Sequence, residues 1–136
     1  MDKILDIEIL SPEKLVYKGL AMVVTVPGVD GLFQVLNMHA PMVSMFEAGV
    51  LTVQDEKGNK INFSTRGGVA EVLKNKVTIL ADTAEAKDDI DVERARNSMK
   101  RAEERLGSGE KNIDRERAKL SLQRARIRLK VAGVLK

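Results

Sequence analysis

The chain has 136 residues, of which 43% are hydrophobic and 32% charged, a balance typical of a soluble globular protein and unlike that of a disordered one. It contains no cysteine, which excludes disulfides and thiolate metal sites. No apolar stretch approaches the roughly 20 residues that span a bilayer, and the first ten residues alternate apolar and charged side chains, so we expect neither membrane insertion nor secretion.

Charge and arginine are distributed unevenly along the chain. Residues 1–87 carry 9 Lys and Arg against 11 Asp and Glu, whereas residues 88–136 carry 14 against 9. Nine of the ten arginines lie after residue 93, the exception being Arg66, and all four aromatic residues lie in the first 63. This change of composition predicts two parts, which we divide between residues 84 and 85.

The first part, residues 1–84, has the pattern of short strands. Apolar runs rich in Val, Ile and Leu are separated by turn residues, as in KILDIEIL, AMVVTV, GLFQVL, VLTV, INFS, GGVAEVL and KVTIL. DEKGNK at 55–60 and LKNKV at 73–77 are typical of hairpin turns, because Asn and Gly tolerate positive φ. Gly67-Gly68 indicates a bulge or a close backbone approach. Together these signals predict a β-sandwich or a small barrel.

From about residue 88 the apolar residues follow a helical period. They recur at alternating steps of three and four: Val92, Ala95, Met99, Ala102, Leu106, and then Ala118, Leu122, Ala125, Leu129, Ala132. GSGEKN at 107–112 supplies the glycine that ends a helix, so residues 85–136 should form an antiparallel two-helix hairpin. Its alanine-rich seam buries little apolar area, so we expect only marginal stability without a partner.

Both helices begin with nearly the same phrase. IDVERARNSMKRAEERL at 90–106 and IDRERAKLSLQRARIRL at 113–129 share ten of seventeen positions. Capping explains most of the repeat, because Asp91 and Asp114 are predicted N-caps and Ile90 can reach Ala95 as a hydrophobic staple. Capping does not explain the arginine that follows each cap, because a cation there meets the positive end of the helix dipole.

These arginines belong to two rows: Arg94, Arg101, Arg105 on the first helix and Arg117, Arg124, Arg128 on the second. Each row lies on one side of its helix, and in an antiparallel hairpin both rows should converge on one edge. Forked guanidinium groups beside a helix N-terminus suit an anion with several charges, such as a polyphosphate. The pattern alone nevertheless favours a solvated basic face or a face that meets an acidic protein. Nucleic acid is less favoured, because the tail has no aromatic residue to stack on bases.

No catalytic constellation is visible in the sequence. His39 is the single histidine, so a metal cluster built from several histidines is excluded. Any nucleophile that needs a histidine as its base would depend on this one residue. Neither G-x-x-x-x-G-K-[ST] nor G-x-S-x-G occurs. We therefore predict neither an enzyme nor a metal site.

The chain resembles the epsilon subunit of the bacterial F-type ATP synthase over essentially its whole length. The resemblance rests on the order and spacing of four segments: ILSPEKLVYKG, VPGVDGLFQVLNMHAP, GGVAEVLKNKVTILADTAE and the tail. The resemblance implies a ten-stranded β-sandwich followed by a two-helix hairpin. It implies that the sandwich lies at the foot of the central stalk, where it binds the gamma subunit and the membrane ion-translocating ring and couples ion-driven rotation to ATP synthesis. The implied location is peripheral, at the cytoplasmic face of the bacterial cell membrane.

The resemblance also implies a regulatory tail. Extended along gamma into the catalytic alpha/beta head, the tail would inhibit ATP hydrolysis. Folded, it would bind ATP through an I-D-x-x-R-A motif that IDVERA at 90–95 matches in full. The implied contacts are Ile90, Asp91 and Ala95 on the adenine side with Glu85 nearby, and Arg94, Arg101, Arg124 and Arg128 on the phosphates with support from Arg117. ATP is thus expected as a regulatory ligand, and no visible motif requires Mg²⁺.

The chain departs from the family pattern in one loop. Asn37-Met38 stands before His39 where the family often has Pro-Gly, and Gln34 stands where a glycine is common. These differences bear on the contacts of the loop, including those with the ring, and leave the expected fold unchanged.

An alternative from another functional class is a free-standing nucleotide- or nucleic-acid-binding module that uses the basic hairpin. It predicts strong, salt-dependent affinity for oligonucleotides that exceeds the affinity for ATP.

Overall fold

The computed structural model describes residues 4–136, which form eight strands followed by two helices. The strands are β1 (Leu5–Leu10), β2 (Leu15–Ala21), β3 (Val23–Gly28), β4 (Gly31–Val35), β5 (Met42–Gln54), β6 (Lys60–Leu73), β7 (Lys76–Ala81) and β8 (Ala84–Ala86). A 3-10 turn at Lys87–Asp89 leads to α1 (Val92–Gly107) and α2 (Arg115–Val131).

The strands form one hydrogen-bonded path in the order β2-β1-β7-β6-β5-β3-β4, with β8 paired to β6. β1 and β7 are parallel, and the other pairs are antiparallel. Side chains from strands that are distant along this path meet in one buried cluster, which shows that the sheet folds over on itself. The rings of Tyr17 on β2 and Phe63 on β6, for example, pack edge to face with centroids 5.7 Å apart. The predicted β-sandwich is confirmed.

The expected number of ten strands is wrong, since the described chain forms eight. β5 and β6 have 13 and 14 residues and stay paired from Met42 opposite Val72 to Gln54 opposite Lys60. β6 changes its other neighbour midway, because its second half pairs with β7 and its first half with β8. Each long strand therefore occupies the place of two shorter ones.

Glycines allow close packing at the middle of β6. A Cβ on Gly68 would collide with the carbonyl oxygen of Leu80, and a Cβ on Gly67 would lie 2.9 Å from the carbonyl oxygen of Phe46. Gly67 also has a φ of +127°, which other residues rarely adopt. The predicted close backbone approach at Gly67-Gly68 is confirmed.

Both predicted hairpin turns are present. Between β5 and β6, the Asp55 carboxylate accepts hydrogen bonds from the backbone N–H groups of Lys57 and Asn59, each at 2.9 Å. Between β6 and β7, Lys74 and Asn75 have φ values of +51° and +60°, as the two central residues of a type I′ turn do. The turn chemistry read from the sequence is therefore confirmed.

The predicted helical hairpin is confirmed as well. α1 and α2 pack against each other through buried alanines at four of the predicted seam positions: Ala95, Ala102, Ala118 and Ala125. α2 also packs against β5 and β6, and it buries Ile127 and Val131 in addition to its seam. A small apolar cluster of Ile90, Val131 and Ala132 rests on Val50 of β5. The sandwich thus contacts the hairpin mainly through one helix.

The passage from strands to helices spans Lys87 to Asp91, since β8 ends at Ala86 and α1 begins at Val92. The division between residues 84 and 85 stays a prediction, because it concerns which segments fold independently. Within residues 4–136, no helix has the length and apolar character required to cross a membrane.

Candidate functional site

Both helices begin at an aspartate, as predicted. The Asp91 carboxylate accepts a hydrogen bond from the backbone N–H of Arg94 at 3.0 Å, and Asp114 accepts one from the backbone N–H of Arg117 at 3.1 Å. Each cap satisfies an otherwise unpaired donor at the helix start. Because these caps use the backbone of each arginine, the guanidinium groups take no part in them.

The residues expected on the adenine side differ in accessibility. Ile90 and Ala95 are buried, and Ile90 packs against Val131 and Ala132 at the end of α2. Asp91 is exposed beside them. In this folded form, protein therefore covers most of the apolar surface that Ile90 and Ala95 would offer to a base.

An ion pair joins the sandwich to the hairpin. Arg128 Nε on α2 donates a hydrogen bond to Glu85 Oε1 on β8 at 2.8 Å, and the two side chains are 27% and 30% exposed. A partly shielded, charge-assisted hydrogen bond of this length contributes on the order of 1 kcal/mol. The structure thus brings together two predicted site residues, one on the last strand and one on the last helix.

Arg124 and Arg128, one turn apart on α2, share a small cavity of about 10 Å³ with β6 and the loop before β8. Its lining is completed by Ser64, Thr65, Arg66, Thr83 and Ile127. Arginine is a permanent cation whose N–H fork matches carboxylate and phosphate oxygens. This boundary between the sandwich and α2 therefore concentrates arginine side chains around a cavity that is itself too small for a phosphate group.

Arg66 of β6 lines this cavity too, although its place in the sequence does not predict it. Arg66 is largely exposed, but partial desolvation lowers the pKa of its guanidinium, and the positive charges of Arg124 and Arg128 lower it further, whereas Glu85 and Asp82 act in the opposite direction. One signal was available in the sequence, since Arg66 is the single arginine before residue 94. Its position beside α2, however, depends on how the hairpin docks.

Arginines of the two helices also line a common cavity near the loop between the helices. Arg105 of α1 and Arg117 of α2 line a cavity of about 300 Å³ together with Ile113, Asp114 and Ala118. One member of each predicted row thus reaches the same surface.

Arg94 and Arg101 lie exposed on α1. Arg101 Nη2 donates a hydrogen bond to Ser98 Oγ at 3.4 Å within its own helix. In this structure the arginines predicted to hold phosphates lie at separate places. Arg124 and Arg128 lie beside the sandwich, and Arg117 lies near the loop between the helices. Convergence of both rows on one anion stays a prediction.

Solved structures with the same fold include a chain of the Euglena gracilis mitochondrial ATP synthase, from a cryo-EM structure of OSCP/F1/c-ring in rotational state 1. It aligns with a TM-score of 0.80 at 21% identity, over 98% of this chain and 82% of that one. A chain of the Tetrahymena thermophila mitochondrial ATP synthase central stalk/c-ring aligns with a TM-score of 0.58 at 16% identity, over 94% and 96% of the two chains. At these identities the likeness concerns the fold alone.

Two family models match the chain in succession. The beta-sandwich domain of the ATP synthase Delta/Epsilon chain matches residues 4–87, and the long alpha-helix domain of the same chain matches residues 88–133. The ATP synthase epsilon chain of Desulfatibacillum aliphaticivorans is 43% identical over 76% of this chain and 74% of its own. That of Moorella thermoacetica is 40% identical over 96% and 98%. The chain therefore belongs to the bacterial epsilon chains of the F-type ATP synthase, which are non-catalytic subunits.

Proposed function

We propose that the chain is a central-stalk subunit whose sandwich binds the gamma subunit and the membrane ion-translocating ring, and whose hairpin regulates ATP hydrolysis by the alpha/beta head. In this position it couples ion-driven rotation to ATP synthesis from the cytoplasmic face of the membrane. The observation that carries the proposal is the match of both parts to one epsilon-chain family, at residues 4–87 and 88–133. No observation favours a free-standing binding module, because that match includes the sandwich as well as the basic hairpin.

The surface of the sandwich supports binding to large partners. β4 and the loop after it expose Leu32, Leu36 and Met38, and the first half of β5 exposes Val43 and Met45. Apolar side chains exposed in such number are typical of surfaces that another protein covers. We assign this surface to contacts with the stalk and the ring.

The hairpin has the properties of a switch. Its contact with the sandwich consists of the Glu85–Arg128 ion pair, a small apolar cluster and one face of α2. Such a contact is weak enough for folded and extended forms to differ by only a few kcal/mol. A single helix of about 45 residues would reach roughly 65–70 Å from the sandwich, far enough to extend along a central stalk.

ATP would act by stabilising the folded form. A ligand that binds one state alone stabilises it by about 2.7 kcal/mol at a hundredfold excess over its Kd. For a marginal, alanine-seamed hairpin, a shift of this size decides which form predominates. ATP in this proposal is a regulatory ligand held by IDVERA at 90–95 and by the arginines of both helices.

Calorimetric titration of the full chain with ATP tests the ligand. We expect binding, and we expect Arg124→Ala to weaken it by about tenfold or more, because a charge-assisted phosphate contact is lost. Arg96→Ala is the matched control, since Arg96 is an exposed arginine of α1 outside both rows. Equal losses in the two variants would contradict this site, and tighter binding of oligonucleotides than of ATP would support the alternative module.

A further inference from the structure

Arg66 belongs to the sandwich, yet it lines the same cavity as two arginines of α2. We propose that Arg66 makes docking of the hairpin depend on a bound anion: it repels Arg124 and Arg128 when the site is empty, and it joins β6 to α2 when a polyphosphate is bound. This inference rests on the proposed binding of ATP by the folded hairpin, and it names the sandwich residue that couples binding to docking.

The backbone holds Arg66 at this position firmly. Its neighbours Ser64 and Thr65 pair with Glu85 and Ala84 of β8, so the carboxylate that binds Arg128 lies on the adjacent strand. The buried Thr65 hydroxyl accepts a hydrogen bond from the backbone N–H of Gly67 at 3.1 Å, which fixes the chain on both sides of Arg66. A cation on a rigid strand thus faces cations on a helix that can leave.

The charges around the cavity do not balance. Arg66, Arg124 and Arg128 contribute three positive charges, against the carboxylates of Glu85 and Asp82. Glu85 is committed to Arg128 at 2.8 Å. Arg66, Arg124 and Arg128 line one small cavity of about 10 Å³, so their like charges act on one another at short range even though Arg66 itself is exposed. Desolvation lowers the pKa of Arg66 most, and the charges of Arg124 and Arg128 lower it further.

A bound polyphosphate would reverse the effect of Arg66. The cavity is too small for a phosphate group, so the anion would lie at its rim, where Arg66 is exposed and Arg124 and Arg128 are half-buried. Several phosphate oxygens can accept hydrogen bonds from the guanidinium groups of Arg66 on the strand and of Arg124 and Arg128 on the helix. One ligand would then link the strand to the helix. The same side chain therefore opposes docking without the anion and supports docking with it.

The test uses Arg66→Gln in the full chain, with Lys60→Gln as the matched control, since Lys60 is an exposed cation on the same strand. Calorimetry with ATP and with inorganic triphosphate measures binding, and hydrogen exchange of the α2 amides measures docking. We expect Arg66→Gln to weaken both ligands by about tenfold, the loss of one bidentate contact. In the absence of anion, we expect it to slow exchange in α2. Lys60→Gln should change neither quantity.

Unchanged affinity for both ligands, or exchange that is unchanged or faster without anion, would overturn the inference while leaving ATP binding by the wild-type chain intact. If the wild-type chain bound triphosphate but not ATP, and Arg66→Gln still slowed exchange and weakened triphosphate binding, the anion-linked docking would hold and the proposed ATP site would fail. Absence of binding of either ligand to the wild-type chain would overturn both. Arg66→Lys should keep the repulsion without anion and lose part of the affinity, because lysine lacks the fork.

Discussion

Met38 adopts a conformation that suits glycine. Its φ is +64°, its side chain is 80% exposed, and its N–H donates a hydrogen bond to Asn75 Oδ1 at 2.7 Å. This is the position before His39 where the family often has glycine. The loop therefore has a left-handed residue here although the residue is not glycine, and the hydrogen bond that Met38 donates to the neighbouring turn helps to hold it.

Replacing Met38 by glycine should stabilise the sandwich. We expect the free energy of unfolding to rise by up to about 1 kcal/mol, because a left-handed conformation costs about 1–2 kcal/mol for a residue with a Cβ, and the exposed side chain contributes little packing. Urea denaturation measures the change. Met45→Gly, also an exposed methionine but on β5, should instead lower stability, since glycine disfavours strands. A loss of stability in Met38→Gly equal to that in Met45→Gly would contradict the argument.

Gly68 should tolerate no side chain. We expect Gly68→Ala to lower the free energy of unfolding by about 2 kcal/mol or more, because the new methyl group meets the Leu80 carbonyl oxygen and the strands must separate. Gly107→Ala is the control, since open space surrounds Gly107 at the end of α1 and alanine favours a helix. Chemical denaturation that showed both variants as stable as the wild-type chain would refute the close approach.

The N-cap of each helix contributes to the stability of its first turn. Asp114→Ala should destabilise α2 by about 1 kcal/mol, because the backbone N–H of Arg117 loses its acceptor. Asp114→Asn should retain most of the stability, since asparagine is an equally good N-cap. Hydrogen exchange of the amides in the first turn of α2 distinguishes the two, and equal exchange in both variants would show that the cap is dispensable.

Periodicity predicted each helix but not how α2 docks. The alternating steps correctly identified Ala118 and Ala125 as buried, because a seam between two helices is a local pattern. Ile127 and Val131 lie outside that seam, and they are buried because the sandwich covers a second face of α2. A one-face pattern contains no information about that contact.

The strand pattern misled in one place for a related reason. The sequence pattern predicts INFS and GGVAEVL as separate strands, with Thr65 and Arg66 between them. In the structure Ser64 and Thr65 are buried and belong to a single 14-residue strand. Backbone pairing with both β5 and β8 continues the strand through these residues, and threonine itself favours strands.

Across the whole molecule, the candidate site was predictable only in part. Glu85 and Arg128 were expected from the resemblance, and the structure joins them. Arg66 was not expected, because its meeting with α2 requires the strand register and helix docking together. Side chains that only tertiary contacts bring together have no characteristic spacing in the sequence, so a sequence pattern cannot predict that they are neighbours.

The sandwich should fold without its tail. Its main core cluster is built entirely from residues between Leu5 and Ala84, with no contribution from either helix. A chain that ends at residue 87 is therefore expected to unfold cooperatively, close to the temperature of the full chain, when followed by circular dichroism. A fragment with no cooperative transition would show that the hairpin is part of the folding unit.

In the proposed function the tail regulates ATP hydrolysis and ATP controls the tail. The most direct measurement is the hydrolysis rate of an assembly of alpha, beta and gamma subunits, with the full chain or with the chain ending at residue 87, at low and at saturating ATP. We expect the full chain to inhibit hydrolysis at low ATP, the inhibition to diminish as ATP rises, and the shortened chain not to inhibit at either concentration. Equal rates with the two chains at low ATP would contradict the claim.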